Sequence, residues 1–175
     1  MLRFHPRSLL LTCLVVVSFV GSSSPAFTQD ASPTAGTAPA VVLDWIDAWN
    51  AADSGAIAAL YTADGIYEDV PTNHTLTGDE IEPALVEYLG GLSDVSVELT
   101  NAYGGDGWAV AEWTLSATNQ GLFPDAPVGT PFSLRNATVF AIEGGKIVRS
   151  ADYYDVATIL TQLGLMPGAG ATPTP

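Results

Sequence analysis

From residue 40 onward, apolar positions recur first at helical and then at strand spacing. "AVVLDWIDAWNAAD" sets Val41, Val42, Trp45, Ile46 and Trp49 on one stripe, with Asp44, Asp47 and Asn50 off it, which predicts an amphipathic helix. Asp53 stands where the N-cap of a second, short helix is wanted, with Ile57 and Leu60 turned inward. "GIYEDV", residues 65–70, alternates and is rich in strand formers, and Pro71 closes it. "GDEIEPALVEYLGGL" predicts a third helix: acids crowd its first turn, Pro83 lies near that end, Ile81, Leu85, Tyr88 and Leu89 form its stripe, and Gly90-Gly91 stops it. Strands are predicted over 95–102, 107–118, 130–143 and 146–154, with Gly104-Gly105 and Gly144-Gly145 as hairpin turns. "PTNHTLTG" and "NQGLFPDAPVG" read as loops, and a last helix over 155–163 presents Val156, Ile159, Leu160 and Leu163 on one face. Helices gathered against one face of an antiparallel sheet predict an α+β domain over 40–165, without internal repeats.

The ends of the chain read differently. Arg3 and Arg7, a 12-residue apolar run from Leu9 to Val20 and the small residues Ser24 and Ala26 have the layout of a secretory signal peptide cut after Ala26. The run is short for a membrane span. Residues 27–39 read as a flexible linker and 166–175 as a disordered tail. Removing residues 1–26 takes away Cys13 and His5, so the mature chain has no thiol and His74 is its single histidine. Export without disulfides points to a bacterial cell, and a cysteine nucleophile or Cys/His zinc site is excluded. Charge sharpens the picture. The whole chain carries −14, and loss of Arg3 and Arg7 deepens this to −16, leaving Arg135, Lys146 and Arg149 as fixed cations. Such a surface repels phosphate backbones and anionic lipid, which excludes nucleic-acid binding and membrane association after signal cleavage.

"AWNAADSGAIAALYTADGIYEDVP", "TGDEI", "FAIEGGKIVRSADYYD" and "LTQLGL", spread over residues 45–165, resemble the SnoaL-like family of the nuclear-transport-factor-type cone fold. That family includes polyketide cyclases, limonene-epoxide hydrolases and steroid isomerase relatives. The resemblance implies a curved antiparallel sheet wrapped with N-terminal helices into a cone around an apolar pocket. It also implies that an aspartate of the final strand acts in acid–base catalysis, a role that falls on Asp152, with Asp155 as the neighbouring alternative. The hydrolases pair a tyrosine with an asparagine two residues on, just before a proline. Here Tyr67 is kept and Asp69 replaces the amide before Pro71. Their Arg-x-Asp pair is missing at Glu112-Trp113-Thr114, which argues against epoxide hydrolysis of that type.

Strand alternation groups the candidates. Asp152 shares a face with Val148, Ser150 and Tyr154, while Asp155 precedes the last helix and reads as its cap. Tyr67 and Asp69 share a face, where a phenol beside a carboxylate positions a ligand oxygen or water; the alternative is a packed rim tyrosine and a turn aspartate. Glu112 shares a face with Trp108, either toward a cavity or toward solvent, and Arg135 reads as an anion anchor or as a surface ion-pair partner. His74 reads as a solvated loop residue, and the sequons at Asn73 and Asn136 as chance matches. These positions predict catalytic Asp152, Asp69 and Tyr67, substrate contacts from Glu112, Trp108, Tyr154 and Arg135, and no metal or other cofactor. The expected function is an exported protein performing cyclisation, isomerisation or hydration on a small apolar molecule. The alternatives are a secreted binding module without turnover and a homodimerisation domain.

Overall fold

The computed structural model describes residues 38–166. The expected signal segment, most of the expected linker and the tail beyond Met166 lie outside the described residues. Helices α1 (Ala40–Asn50) and α2 (Ser54–Ala59) lead into strand β1 (Tyr61–Asp69) and a short β2 (His74–Thr77). Helix α3 (Ile81–Gly90) is followed by β3 (Leu92–Gly105), β4 (Trp108–Asn119), β5 (Pro131–Glu143), β6 (Lys146–Tyr154) and α4 (Val156–Gln162). The strands form one six-stranded sheet in the order β2-β1-β6-β5-β4-β3.

The α+β class and the helical order agree with the sequence pattern, and the sheet differs from it in three ways. It is mixed, because β1 joins β6 in parallel while every other neighbouring pair is antiparallel. Residues 74–77, read as loop, pair with β1 as an edge strand; Leu76 is its one buried side chain, so it shows almost no alternation to read. Finally, Gly104 and Gly105 are not the β3–β4 turn but the end of β3, opposite Ala109 and Trp108. A β-carbon at Gly104 would come within 2.9 Å of the Pro39 ring, and one at Gly105 within 2.5 Å of the Trp108 indole. The glycines are there for close approach, and Asp106-Gly107 makes the turn, with Gly107 at φ 78°. Gly144-Gly145 does turn the β5–β6 hairpin, both residues having positive φ.

The caps follow the sequence. Asp53 accepts from the Ala56 amide at 2.8 Å, and Asp155 accepts from the Ala157 amide at 2.9 Å and the Thr158 hydroxyl at 2.7 Å. Asp155 is thus engaged at the helix end and exposed. The stripe of α1 is buried as its spacing requires, and Trp45, without solvent exposure, meets Trp49, Trp113 and Phe140 edge-on at centroid distances of 5.3–5.7 Å. A second apolar cluster joins Ala117, Phe132, Leu134, Ile159 and Leu163 at the α4 end.

Two side-chain amides, of Asn50 and Asn119, brace this frame. Asn50, at the end of α1, both donates to the Val97 carbonyl (2.9 Å) and accepts from its amide (2.7 Å), fixing α1 against β3. Asn119, fully buried at the end of β4, donates to the carbonyls of Phe123, Ala126 and Pro127 and accepts from the amides of Gly121 and Phe123. Loop 120–130 is therefore gathered around one side chain, while the amides of Gln120 and Leu122 tie its start to the Gly91 carbonyl. Replacing Asn119 strands several backbone groups at once. Asn119→Ala is expected to lower stability by about 2–4 kcal/mol in urea unfolding; a change below about 0.5 kcal/mol would mean that the loop's own backbone contacts suffice.

Candidate active site

The site is assembled by register. β1, β6 and β5 lie side by side, and their pairing places Asp69 beside Asp152 and Asp152 beside Thr138. All three are buried, with Asp152 at 4 % exposure and Thr138 at 0 %. Tyr67, two residues before Asp69, donates its hydroxyl to Oδ2 of Asp152 at 2.9 Å. Thr138 Oγ1 contacts Oδ1 at 2.6 Å and Trp113 Nε1 at 2.8 Å. An indole N–H can only donate, so Thr138 accepts from Trp113 and turns its own hydrogen toward Asp152. Both oxygens of Asp152 are thus acceptors in a chain whose direction is fixed by Trp113.

These bonds and the burial pull in opposite directions. Burial disfavours the charged carboxylate, and the hydrogen bonds from Thr138 and Tyr67 favour it. Burial wins, helped by the neighbouring Asp69 carboxylate, and the pKa of Asp152 is pushed up to about 6. Burial first, and then the Asp152 charge, push the Tyr67 phenol well above its usual value, so it stays a neutral donor. The second carboxylate is held differently. Tyr154 donates to Oδ2 of Asp69 at 2.9 Å, while Oδ1 is buried without a partner.

Both acids border a cavity of about 100 Å³ between the two apolar clusters. Trp49, Tyr67, Trp113, Leu134 and Phe132 supply its walls, and Tyr88, Leu92 and Leu122, each half-buried, stand toward the outside. Asn136 and Tyr154 complete its polar side. Among the described residues no three His, Cys, Asp or Glu side chains are grouped as a metal site would need.

Residues 42–150 match the model of the SnoaL-like domain. The chain belongs to the SnoaL-like family. No curated protein sequence matches it. Among solved structures, the SnoaL-like domain resembles a protein of ketosteroid isomerase-like fold from Catenulispora acidiphila, crystallised in complex with trimethylamine. That protein is 30% identical over 74% of this chain and 96% of its own, with a TM-score of 0.66. A protein from Pseudomonas putida described as a polyketide cyclase is 25% identical over 72% of this chain and 97% of its own, at a TM-score of 0.58. One from Shewanella denitrificans described as a SnoaL-like polyketide cyclase shares the fold alone, at 15% identity, 73% and 96% coverage and a TM-score of 0.66.

Within this SnoaL-like domain, Asp152, Tyr67, Asp69 and Tyr154 come together at the cavity. Three residues expected to contact substrate lie elsewhere. Trp108 is 46 % exposed, Arg135 is exposed, and Glu112 is bonded to Asn101 at 2.8 Å, all on the face of the sheet away from the cavity. Their strand phase is the reason: Ala109, Ala111 and Trp113 take the inner face of β4, which turns Trp108 and Glu112 outward, and Arg135 alternates with the inward Leu134 and Asn136. His74 is exposed on the edge strand. Sequence reasoning passed over Thr138 and Asn136 as site residues. Their signal was two polar side chains in phase with Phe132, Leu134 and Phe140 on an otherwise apolar face.

A carboxyl group with a raised native pKa binds more protons in the folded than in the unfolded state between the two pKa values. Its contribution therefore falls as pH rises from the reference 3.8 toward about 6. In paired urea titrations, the stability of the wild type relative to Asp152→Asn should drop by about 3 kcal/mol across that window. A relative stability independent of pH would contradict the assignment. Tyr67→Phe, which removes a donor to the carboxylate, should move the same titration upward.

Proposed function

We propose that the protein is exported and performs cofactor-free acid–base chemistry on a small molecule, with Asp152 as the group that takes and returns a proton. The observation that carries this reading is the buried Asp152 at an apolar cavity, with both oxygens held and its pKa near 6. A base with that affinity is mostly ionised at neutral pH and still returns its proton readily. Because Tyr67 holds one oxygen of the carboxylate and Thr138 the other, a substrate proton arrives at a lone pair they leave free. Tyr67, neutral and fixed, is the donor that steadies the carboxylate through the cycle.

Size restricts the substrate. A drug-sized ligand occupies about 300 Å³ or more, against about 100 Å³ here. The fused rings of a polyketide would need the cavity to open, and a compact molecule does not. Isomerisation or enolisation of a compact substrate fits better than ring closure of a large one. The small volume also favours a second reading, ligand binding without turnover, and the trimethylamine complex of the Catenulispora relative is of that scale. The sheet face bearing Trp108, Val139 and Tyr153, each more than a third exposed, supports pairing with a second copy. Export rests on the pattern of residues 1–26.

Deuterium uptake from D2O by a panel of small enolisable ketones, followed by proton NMR, tests the catalytic reading across a range of compact substrates. The protein should accelerate exchange for at least one member, with a rate rising through pH about 6. Asp152→Asn should slow it by about 10²–10⁴-fold. Exchange unaffected by that substitution would remove Asp152 from the chemistry. Mass spectrometry of protein recovered outside its host should find a mature chain beginning at Phe27 or within a few residues of it; a retained Met1 would end the export reading.

A further inference from the structure

Two residues lining the cavity each carry a buried polar atom that no side chain answers, the indole Nε1 of Trp49, a donor, and the Oδ1 of Asp69, an acceptor. Asp69 is 6 % exposed, Tyr154 holds its Oδ2, and its Oδ1 is buried without a hydrogen-bond partner. Unanswered buried acceptors are costly, and a carboxylate oxygen more so than a neutral one. Among the described residues no lysine, arginine or histidine lines the cavity beside the carboxyl groups of Asp69 and Asp152. A ligand in the cavity can supply the partner that Oδ1 of Asp69 lacks. An anion would be repelled, and a neutral alcohol would answer the hydrogen bond but leave the charge.

We propose that the ligand class of this cavity is a compact alkylammonium ion, whose N–H donates to Oδ1 of Asp69 while its alkyl groups lie among the aromatic walls. This deepens the reading of the cavity as the place where a small molecule is handled, and it rests on that reading. Trp49, Tyr67, Trp113, Tyr88 and Tyr154 border the space, and aromatic rings attract a desolvated cation through their quadrupoles. The volume, about 100 Å³, is small beside pockets that take drug-sized ligands, of about 300 Å³ or more. It suits a nitrogen carrying a few methyl groups better than a ring system. Tyr88 and Leu122 also border an outer depression lined by Glu87 and His74, so one acid and one imidazole stand at the approach. The two carboxylates then divide the work. Asp152, with both oxygens already accepting, handles the proton, and Asp69, with one oxygen open, holds the cation.

Isothermal titration of the purified protein with trimethylammonium, tetramethylammonium and tert-butanol tests this. Trimethylammonium should bind at least about tenfold tighter than tert-butanol, which has a similar shape without the charge. It should also bind tighter than tetramethylammonium, which has the charge without an N–H. Asp69→Asn should weaken trimethylammonium by about tenfold and leave tert-butanol within about twofold. Equal affinity for the charged and neutral compounds, equal affinity for the tertiary and quaternary ions, or no binding of trimethylammonium would each overturn the proposal. If Asp69→Asn does not fold, the carboxyl-carbon NMR shift of Asp69 in the wild type replaces it: movement on adding trimethylammonium is expected, and a stationary signal refutes the contact. Loss of amine selectivity with Asp152-dependent deuterium exchange intact would sink this inference alone. Selective amine binding with exchange indifferent to Asp152→Asn would sink the catalytic reading alone.

Discussion

The alignment of β1 with β6 is the constraint on which the site depends. It is the single parallel join in the sheet, and it sets Asp69 beside Asp152 while the β5–β6 pairing sets Asp152 beside Thr138. A slip of one residue in β6 would turn Asp152 to the outer face and bring Tyr153 inward. The inner face resists such a slip because Ser150 would move with it, and Ser150 is bonded to the buried Tyr61 at 2.7 Å. A parallel join also demands a long excursion between its partners. Here the chain passes through β2, α3, β3, β4 and β5 before β6 returns, so Tyr67 and Asp152 meet 85 residues apart. The candidate site is therefore assembled from strands far apart in the chain.

Once assembled, the site holds a contest between dehydration and hydrogen bonding, and the two acids meet it differently. Asp152 receives two donors and is shut away from water, which leaves it poised near neutrality. Asp69 receives one donor and keeps one oxygen open. The distinction does not come from the residue type. It comes from what stands on the neighbouring strands, a threonine and two tyrosines, and from Trp113, whose indole decides which way the threonine hydrogen points.

Much of this was legible in the chain. The stripe of α1, the caps Asp53 and Asp155 and the Gly144-Gly145 hairpin were readable because each follows from local periodicity or one residue's conformational needs. The family motifs pointed to Asp152 and, through the retained tyrosine, to Tyr67 and Asp69. What could not be read was lateral. Alternation says that Trp108 and Glu112 share a face, and it does not say which face is wet; the aromatic Trp108 was a misleading guide, since its ring lies over Gly105 rather than in the core. Bulges add to the difficulty. Ile147 has the parity of the outward Arg149, yet a register shift between the pairs at Ala141 and Ile142 returns it, fully buried, to the core. The parallel join and the edge strand at 74–77 depend on partners far along the chain and leave no local trace.

Asn119 has a consequence for how such a domain diversifies. Loop 120–130 leaves and re-enters the sheet at one point, where the Asn119 amide and carbonyl meet Thr130 and Gly129 at 2.9 and 2.8 Å. The segment is a closed handle with Leu122 and Phe123 at the cavity. Its length and composition can vary while the strands that carry the acids stay in place. Evolution, or an engineer, can thus redraw the shape of what is admitted by editing a stretch of about ten residues, leaving the acids of the neighbouring strands in place.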